Sequence, residues 1–89
     1  MKTGFSLGKA RELMNQHSID VLVATNHDNV YYTSHSDIIT ITMLKRLAAT
    51  IIPQNTEPTL LVHPNEHVTA QQTTWIKDLH TYRAANGSP

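Results

Sequence analysis

Cysteine is absent from this chain, and glycine and aromatic residues are scarce. Neither positive nor negative charge is in excess. Without cysteine there can be no disulfide framework, no thiolate nucleophile and no sulfur-ligated zinc. Glycine stands only at positions 4, 8 and 87, and neither Gly4 nor Gly8 precedes a strand-to-helix turn. A glycine-rich phosphate loop is therefore not expected.

The charge is balanced, and it excludes two classes of partner. Lys plus Arg total 7 and Asp plus Glu total 7, with no block of one sign. Because nucleic acids and anionic membranes select basic patches, neither is an expected partner. No apolar run reaches the length of a signal peptide or a membrane span, so we expect a cytoplasmic location.

The length bounds the core. The 89 residues form one domain, residues 1–89, with a loop-like tail at 84–89. A chain of this size buries only about 60–65% of the surface that its unfolded form exposes. We therefore expect marginal stability, which favours a surface that meets a partner.

Two helices are predicted from periodicity and capping. Apolar residues spaced along one face predict a helix from Leu7 to about His17, with Ser6 as its N-cap. The residue after such a helix is often left-handed, and at Ser18 a side chain in that conformation costs about 1 kcal/mol. Pro64 suits the first position of a second helix, which should run to about residue 73.

The strands predict a mixed sheet. Residues 21–24 form a continuous apolar run, typical of a central strand covered on both faces. Residues 47–52 and 59–62 predict two antiparallel neighbours that flank a turn with two prolines. Residues 79–82 predict a last, parallel strand.

Two segments lie between the first two strands. Residues 25–28 offer capping side chains, and residues 29–32 predict a short helical turn whose aromatic rings pack beneath the loop. Residues 39–43 alternate apolar and hydroxyl side chains, the pattern of a strand with one buried face.

The chain resembles a known family from residue 7 to residue 82, and the clearest signal lies in residues 19–34. Its Ile-Asp-apolar strand, followed by Asn-Val-Tyr-Tyr-Thr at 29–33, is similar to the opening of the creatinase and prolidase amino-terminal domain. Ser18 and Ser34 depart from that pattern, since the family usually has glycine there. The resemblance implies an α/β fold, in which helices flank a small mixed β-sheet with a ribonuclease H-like motif. It also implies a domain cut short, because the family domain continues with further helix and strand.

The resemblance implies a role without chemistry of its own. In aminopeptidase P, prolidase and creatinase this domain precedes a catalytic pita-bread domain. The chain is thus expected to be the non-catalytic part of an Xaa-Pro peptidase- or creatinase-like metallohydrolase, contributing dimerisation and substrate access. Its expected partners are that catalytic domain and a second subunit of a homodimer. The chain itself should hold no catalytic residue, metal or cofactor. A divalent metal (Mn, Co or Zn) is expected on an Asp, Asp, His, Glu, Glu set in the missing domain.

Substrate contacts in trans are also implied by the resemblance. In dimeric members, the segment after the Tyr-x-Thr-Gly stretch can reach the neighbouring subunit's catalytic cleft. His35, Asp37, Lys45 and Arg46 match that region in order, though not in type. We take His35, Asp37 and Arg46 as substrate-binding candidates. A guanidinium can clasp a substrate carboxylate in two parallel hydrogen bonds, so Arg46 leads, with a merely solvated Arg at a strand end as the alternative.

Two further features are interpreted as structural and not as functional. Residues 63–67 satisfy the H-x-x-E-H zinc pattern, which needs both His rings on one helix face. Pro64 pushes His63 out of helical geometry, so we interpret the match as fortuitous and place His63 at a strand end or as a cap. Trp75 is interpreted as a core or helix-end anchor, with an interface role as the alternative.

A second function remains open. Fold resemblance does not carry function by itself, and a free-standing α/β interaction or small-ligand module without hydrolase activity would show the same pattern. A truncated domain should leave apolar surface open and self-associate, whereas a complete module should be a monomer or a defined dimer.

Overall fold

The computed structural model describes residues 4–38, 41 and 47–82. Its elements are α1 (Leu7–Gln16), β1 (Val21–Ala24), α2 (His27–Ser34), β2 (Ala49–Pro53), β3 (Thr59–Val62), a 3₁₀ helix (Pro64–Glu66), α3 (His67–Thr73) and β4 (Asp78–Thr81). This order confirms the predicted α/β class. The predicted tail at 84–89, and the strand predicted for residues 39–43 apart from Ile41, lie outside the described residues.

The four strands form one mixed sheet in the order β1-β2-β3-β4. The β1–β2 and β2–β3 pairs are antiparallel, and β3 and β4 are parallel. The predicted hairpin and the predicted parallel last strand are thereby confirmed. Pro53 is tolerated at the end of β2 because it lies opposite Val21, beyond the residues that pair with β3.

The prediction of a central first strand is wrong for the described residues. Among residues 4–38, 41 and 47–82, β1 lies at the edge of the sheet and pairs with β2 alone. Val21, Leu22 and Val23 are 48%, 40% and 54% exposed. The apolar run is typical of a strand that neighbours cover on both faces, but strand order depends on which partners are present, and local sequence does not carry that information.

The described helices lie on one face of the sheet. The register places Leu22 opposite Ile52, and Leu60 lies on the same face because it pairs with Thr50. Leu60 belongs to a core that includes Val30 of α2 and Ala70 of α3. The buried core residues are Val30, Ile38, Ala48, Leu60, Val62, Ala70 and Ile76. The other face carries Val21, Val23, Ile51 and Leu61, all of which are partly or largely exposed.

Helix α1 begins and ends as predicted. The Ser6 hydroxyl accepts a hydrogen bond from the backbone N–H of Lys9 at 3.2 Å. After the last turn Ser18 takes a left-handed conformation, with φ of 56°. Arg11 ties the helix to the sheet, because its Nε donates to the carbonyl of Pro53 at 3.3 Å.

Helix α2 is longer than the predicted turn. It runs for eight residues, and the Asn26 side chain caps it by accepting from the N–H of Asn29 at 2.8 Å. It ends at His35, which is left-handed with φ of 67°.

Among the described residues, no helix has both the length and the apolar character that a membrane span needs.

Candidate functional site

The segment after α2, residues 34–38, carries two of the candidate residues on a tightly held backbone. Ser34 and Ser36 are fully buried. The Ser34 hydroxyl donates to the carbonyl of Val30 at 2.6 Å and accepts from the N–H of Ser36 at 3.1 Å. The Ser36 hydroxyl lies 2.9 Å from that of Thr73. A serine where the family usually has glycine thus contributes hydrogen bonds that glycine cannot make.

The end of α3 holds the same segment from the other side. The Thr74 hydroxyl donates to the carbonyl of Ser34 at 2.7 Å, and the Trp75 Nε1 donates to the carbonyl of Thr33 at 2.8 Å. These are carbonyls of the last turn of α2, which have no partner within the helix. The prediction that Trp75 anchors a helix end is confirmed.

His35 lies in an aromatic cluster made of Phe5, Tyr32, His35 and Trp75. Its ring centroid is 6.3 Å from that of Trp75, and the Phe5 ring is 5.6 Å from Tyr32 in an edge-on arrangement. A small pocket of about 180 Å³ opens between Phe5, Leu7, His35 and Trp75. His35 is therefore presented at a partly covered surface beside the carboxyl end of α2.

Asp37 is held at the opposite end of α2. Its Oδ1 lies 2.5 Å from the Nε2 of His27, the first residue of the helix. The Nδ1 of the same ring lies 3.5 Å from Oδ1 of Asp28. The left-handed residue His35 reverses the chain, which brings Asp37 back along the helix. Both nitrogens of the His27 ring thus face carboxylates, so this side chain links the start of α2 to the segment that follows the helix.

The structure therefore separates the candidates that it describes. His35 lies with the aromatic cluster and Asp37 with His27, while Lys45 and Arg46 lie outside the described residues. Sequence reasoning did not single out His27. No local signal could have done so, because its contact with Asp37 depends on the turn at the end of α2.

The H-x-x-E-H match does not form a helical zinc site. His63 is extended, with φ of −62° and ψ of 144°, and caps the 3₁₀ helix through its Nδ1, which accepts from the N–H of Asn65 at 3.1 Å. His67 begins α3, so the two rings do not share one turn of helix. The prediction of His63 as a cap is confirmed. Within residues 4–38, 41 and 47–82, no group of three or more His, Cys, Asp or Glu side chains could hold a metal ion.

Asp78, the first residue of β4, has a lowered pKa. The Thr59 hydroxyl donates to Oδ2 of Asp78 at 2.5 Å across the β3–β4 pair. This hydrogen bond, helped by the His80 ring 2.8 Å from Oδ1, holds the pKa of Asp78 below its usual value. Asp78 and His80 lie on the face away from the helices, so we interpret the group as a cross-strand link.

An apolar pocket of about 310 Å³ lies between α1 and β1. Its apolar walls include Leu13 and Met14 of α1, Leu22 of β1, and Phe5 and Tyr32 of the aromatic cluster. Leu13 is about half exposed and Met14 is buried.

Comparison with known proteins identifies the fold. The family model for the creatinase/prolidase N-terminal domain matches residues 7–88. Prolidase from Pyrococcus horikoshii superimposes with a TM-score of 0.73 at 23% identity, covering 88% of this chain and 20% of that chain. A Creatine_N superfamily domain of a dipeptidase from Streptococcus thermophilus gives 0.73 at 20% identity, covering 92% of this chain and 57% of that chain.

A third solved structure agrees. The creatinase/prolidase N-terminal domain of an X-Pro dipeptidase from Streptococcus pyogenes gives a TM-score of 0.74 at 16% identity, covering 85% of this chain and 55% of that chain. This chain therefore spans just over half the length of the two streptococcal structures. No curated protein sequence matches it significantly.

Proposed function

The chain belongs to the creatinase/prolidase N-terminal domain family, and from this premise we propose that it is the non-catalytic domain of an Xaa-Pro peptidase- or creatinase-like metallohydrolase. The observation that carries the proposal is the family match over residues 7–88, nearly the whole described fold. Prolidases and X-Pro dipeptidases among the solved structures with this fold support the substrate class.

The proposed role is dimer contact and access of substrate to a partner's active site. The hydrogen bonds of Ser34 and Ser36 hold the backbone that presents His35 and Asp37. A backbone held in one conformation suits side chains that must be positioned precisely in a partner's active site. In this proposal the Asp37 carboxylate faces a substrate ammonium group, and Arg46 binds a substrate carboxylate.

The catalytic metal belongs to another domain in this proposal. The described residues offer no suitable donor set. The chemistry of Mn, Co or Zn, namely activation of water and polarisation of the scissile carbonyl, would be supplied where the family's carboxylate and His ligands lie. A cytoplasmic location completes the proposal.

A hydrolysis assay tests whether the chain lacks catalytic activity of its own. The 89-residue chain, incubated with manganese and an Xaa-Pro dipeptide, should release no product above a buffer blank. Prolidase from Pyrococcus horikoshii in the same buffer serves as the positive control. Manganese-dependent turnover by the chain alone would overturn the proposal.

The gene provides an independent test. An open reading frame past the codon for Pro89 that supplies the five metal ligands would support the hydrolase proposal. An immediate stop codon would support a second candidate, a free-standing interaction or small-ligand module. The apolar pocket between α1 and β1 favours that candidate, because pockets of roughly this size and character bind small apolar ligands.

A further inference from the structure

The His27 ring at the start of α2 lies between two carboxylates. Its Nε2 lies 2.5 Å from Oδ1 of Asp37, and its Nδ1 lies 3.5 Å from Oδ1 of Asp28. A neutral imidazole has one N–H and one lone pair, so it can donate to only one carboxylate. An imidazolium has two N–H groups and can face both. The carboxylates on its two sides therefore complement the protonated ring.

The two carboxylates differ in which parts of the chain they join. Asp28 follows His27 in the same helix, and its side chain is 96% exposed, so water screens its attraction to the ring. Asp37 belongs to the segment after α2, residues 34–38, so its contact joins two separate parts of the chain. The His27 side chain is only 29% exposed, which leaves this contact less screened. The bond to Asp37 is thus the one that affects the conformation of the segment.

The backbone on either side of Asp37 is anchored in the core. Ser36 and Ile38 are buried, and the Ser36 hydroxyl lies 2.9 Å from that of Thr73. Asp37 itself is exposed, and within the described residues the polar contact of its carboxylate is with His27. This contact therefore ties an anchored segment to the first turn of α2.

We propose that His27 and Asp37 form a pH-dependent latch, which holds residues 34–38 to the start of α2 more tightly when the His27 ring is protonated. A hydrogen bond between two charged partners is about twice as strong as one between neutral partners. The neutral ring can keep the bond through its Nε2–H tautomer, but it loses the assistance of its charge. The latch therefore weakens as pH rises through the range in which histidines titrate. The inference does not rest on the proposed hydrolase role.

The elements around the His27 ring offer few other titratable groups. The strands against which α2 packs, β1 and β2, contain no titratable side chain. Residues 73–75, which bond to the same segment, contain none either. On α2 the titratable side chains besides the His27–Asp28 pair are Tyr31 and Tyr32. The other imidazole of the segment belongs to His35, so a test must distinguish His35 from His27.

A double-mutant cycle measures the strength of the latch. His27→Gln and Asp37→Asn, singly and together, are compared with the unmodified chain by urea titration. Their coupling is expressed as a factor in the unfolding equilibrium constant. We expect a coupling of about tenfold at pH 5.5 and about threefold at pH 8.5, because a charge-assisted hydrogen bond becomes a bond with a neutral donor.

Two control variants separate the latch from its neighbours. The cycle of His27→Gln with Asp28→Asn should give a coupling below about twofold at both pH values, because Asp28 is exposed. His35→Asn removes the other imidazole of the segment, and asparagine tolerates the left-handed conformation at this position. The pH dependence of the coupling between His27 and Asp37 should persist in that background.

NMR spectroscopy of the unmodified chain gives a measurement that needs no folded variant. The ring nitrogen shifts report the protonation of His27, and the backbone amide shifts report the state of the segment. Between about pH 5 and pH 8, the amides of Asp37 and Ile38 should shift with the same midpoint as the His27 ring.

Three outcomes would overturn the proposal. A coupling between His27 and Asp37 that is equal at the two pH values would show that protonation does not change the bond. Loss of the pH dependence in His35→Asn would assign it to His35. Amides of Asp37 and Ile38 whose midpoint differs from that of the His27 ring would show that the ring does not hold the segment.

Discussion

At the scale of single residues, Ser18 and His35 both hold the left-handed conformation that glycine adopts without cost. Ser18 ends α1, and His35 ends α2. The left-handed turn at His35 brings Asp37 to His27, so the backbone strain at His35 cannot be tested without affecting that contact. Ser18 is exposed, and it offers the simpler test of what a side chain costs there.

Replacing Ser18 by glycine should stabilise the domain. The φ of 56° costs a serine about 1 kcal/mol, and part of this gain is offset by the greater freedom of glycine in the unfolded chain. We expect the free energy of unfolding to rise by about 0.5 kcal/mol in urea titrations. Glu12→Gly, at an exposed position in the middle of α1, is the matched control and should lower it by about 0.5–1 kcal/mol. A Ser18→Gly variant less stable than the parent would contradict this account.

Asp78 makes the stability of the domain depend on pH. Its pKa is lowered in the folded state, chiefly by the Thr59 hydroxyl, so the folded state binds its proton more weakly than the unfolded state does. The stabilisation is present above the ordinary pKa of an aspartate, and it is lost as pH falls through the lowered value. Thr59→Val should move the Asp78 pKa upward in a carboxyl NMR titration. An unchanged pKa in this variant would show that His80 is the main cause.

At the scale of elements, the contact between the ends of α2 and α3 positions the candidate site. Side chains of residues 73–75 bond to backbone or hydroxyl groups of residues 33–36. These bonds satisfy the last carbonyls of α2 and fix the loop that presents His35 and Asp37. α2 has only eight residues, too few to be stable alone, so it depends on such tertiary contacts.

Trp75→Phe should loosen this contact while keeping most of the apolar area. It removes the hydrogen bond to the Thr33 carbonyl, and we expect a loss of about 1 kcal/mol of stability. Amide hydrogen exchange should accelerate in the last turn of α2 more than in β3. Phe5→Leu, which changes the same cluster without removing that hydrogen bond, is the control. Uniform acceleration across both elements would contradict a local anchoring role.

At the scale of the whole molecule, a sheet with helices on one face leaves apolar surface on the other face and at one edge. Val21, Val23, Leu61 and Ile51 are not covered by any described helix. A chain of 89 residues has little apolar burial to spare. Association through the dimer contact proposed above would add apolar burial that the single copy lacks.

Stability should therefore depend on protein concentration. Because only the folded state would dimerise, the melting temperature of the chain should rise as its concentration increases. A tenfold increase adds about 1.4 kcal/mol for each mole of dimer that unfolds. Differential scanning calorimetry over a tenfold range of protein concentration measures the change. A constant melting temperature for the unmodified chain would argue for a stable monomer.

Much of this architecture was predictable from local sequence. Ser6 and Asn26 cap helices, Pro64 opens the 3₁₀ helix that leads into α3, and the prolines bound the β2–β3 turn. These devices act over a few residues, so the spacing of side chains along the chain is sufficient to predict them. The family was also predictable, because its signal lies in the contiguous segment 19–34.

Only the tertiary structure decided where β1 lies and which side chains meet at the site. An apolar strand has the same sequence whether or not a neighbour covers it, so the edge position of β1 could not be inferred from residues 21–24. The contact of His27 with Asp37 joins residues ten positions apart. It depends on the length of α2 and on the turn at His35, neither of which local spacing specified. Sequence determined the elements and the family because those depend on neighbouring residues, whereas pairing and exposure depend on distant ones.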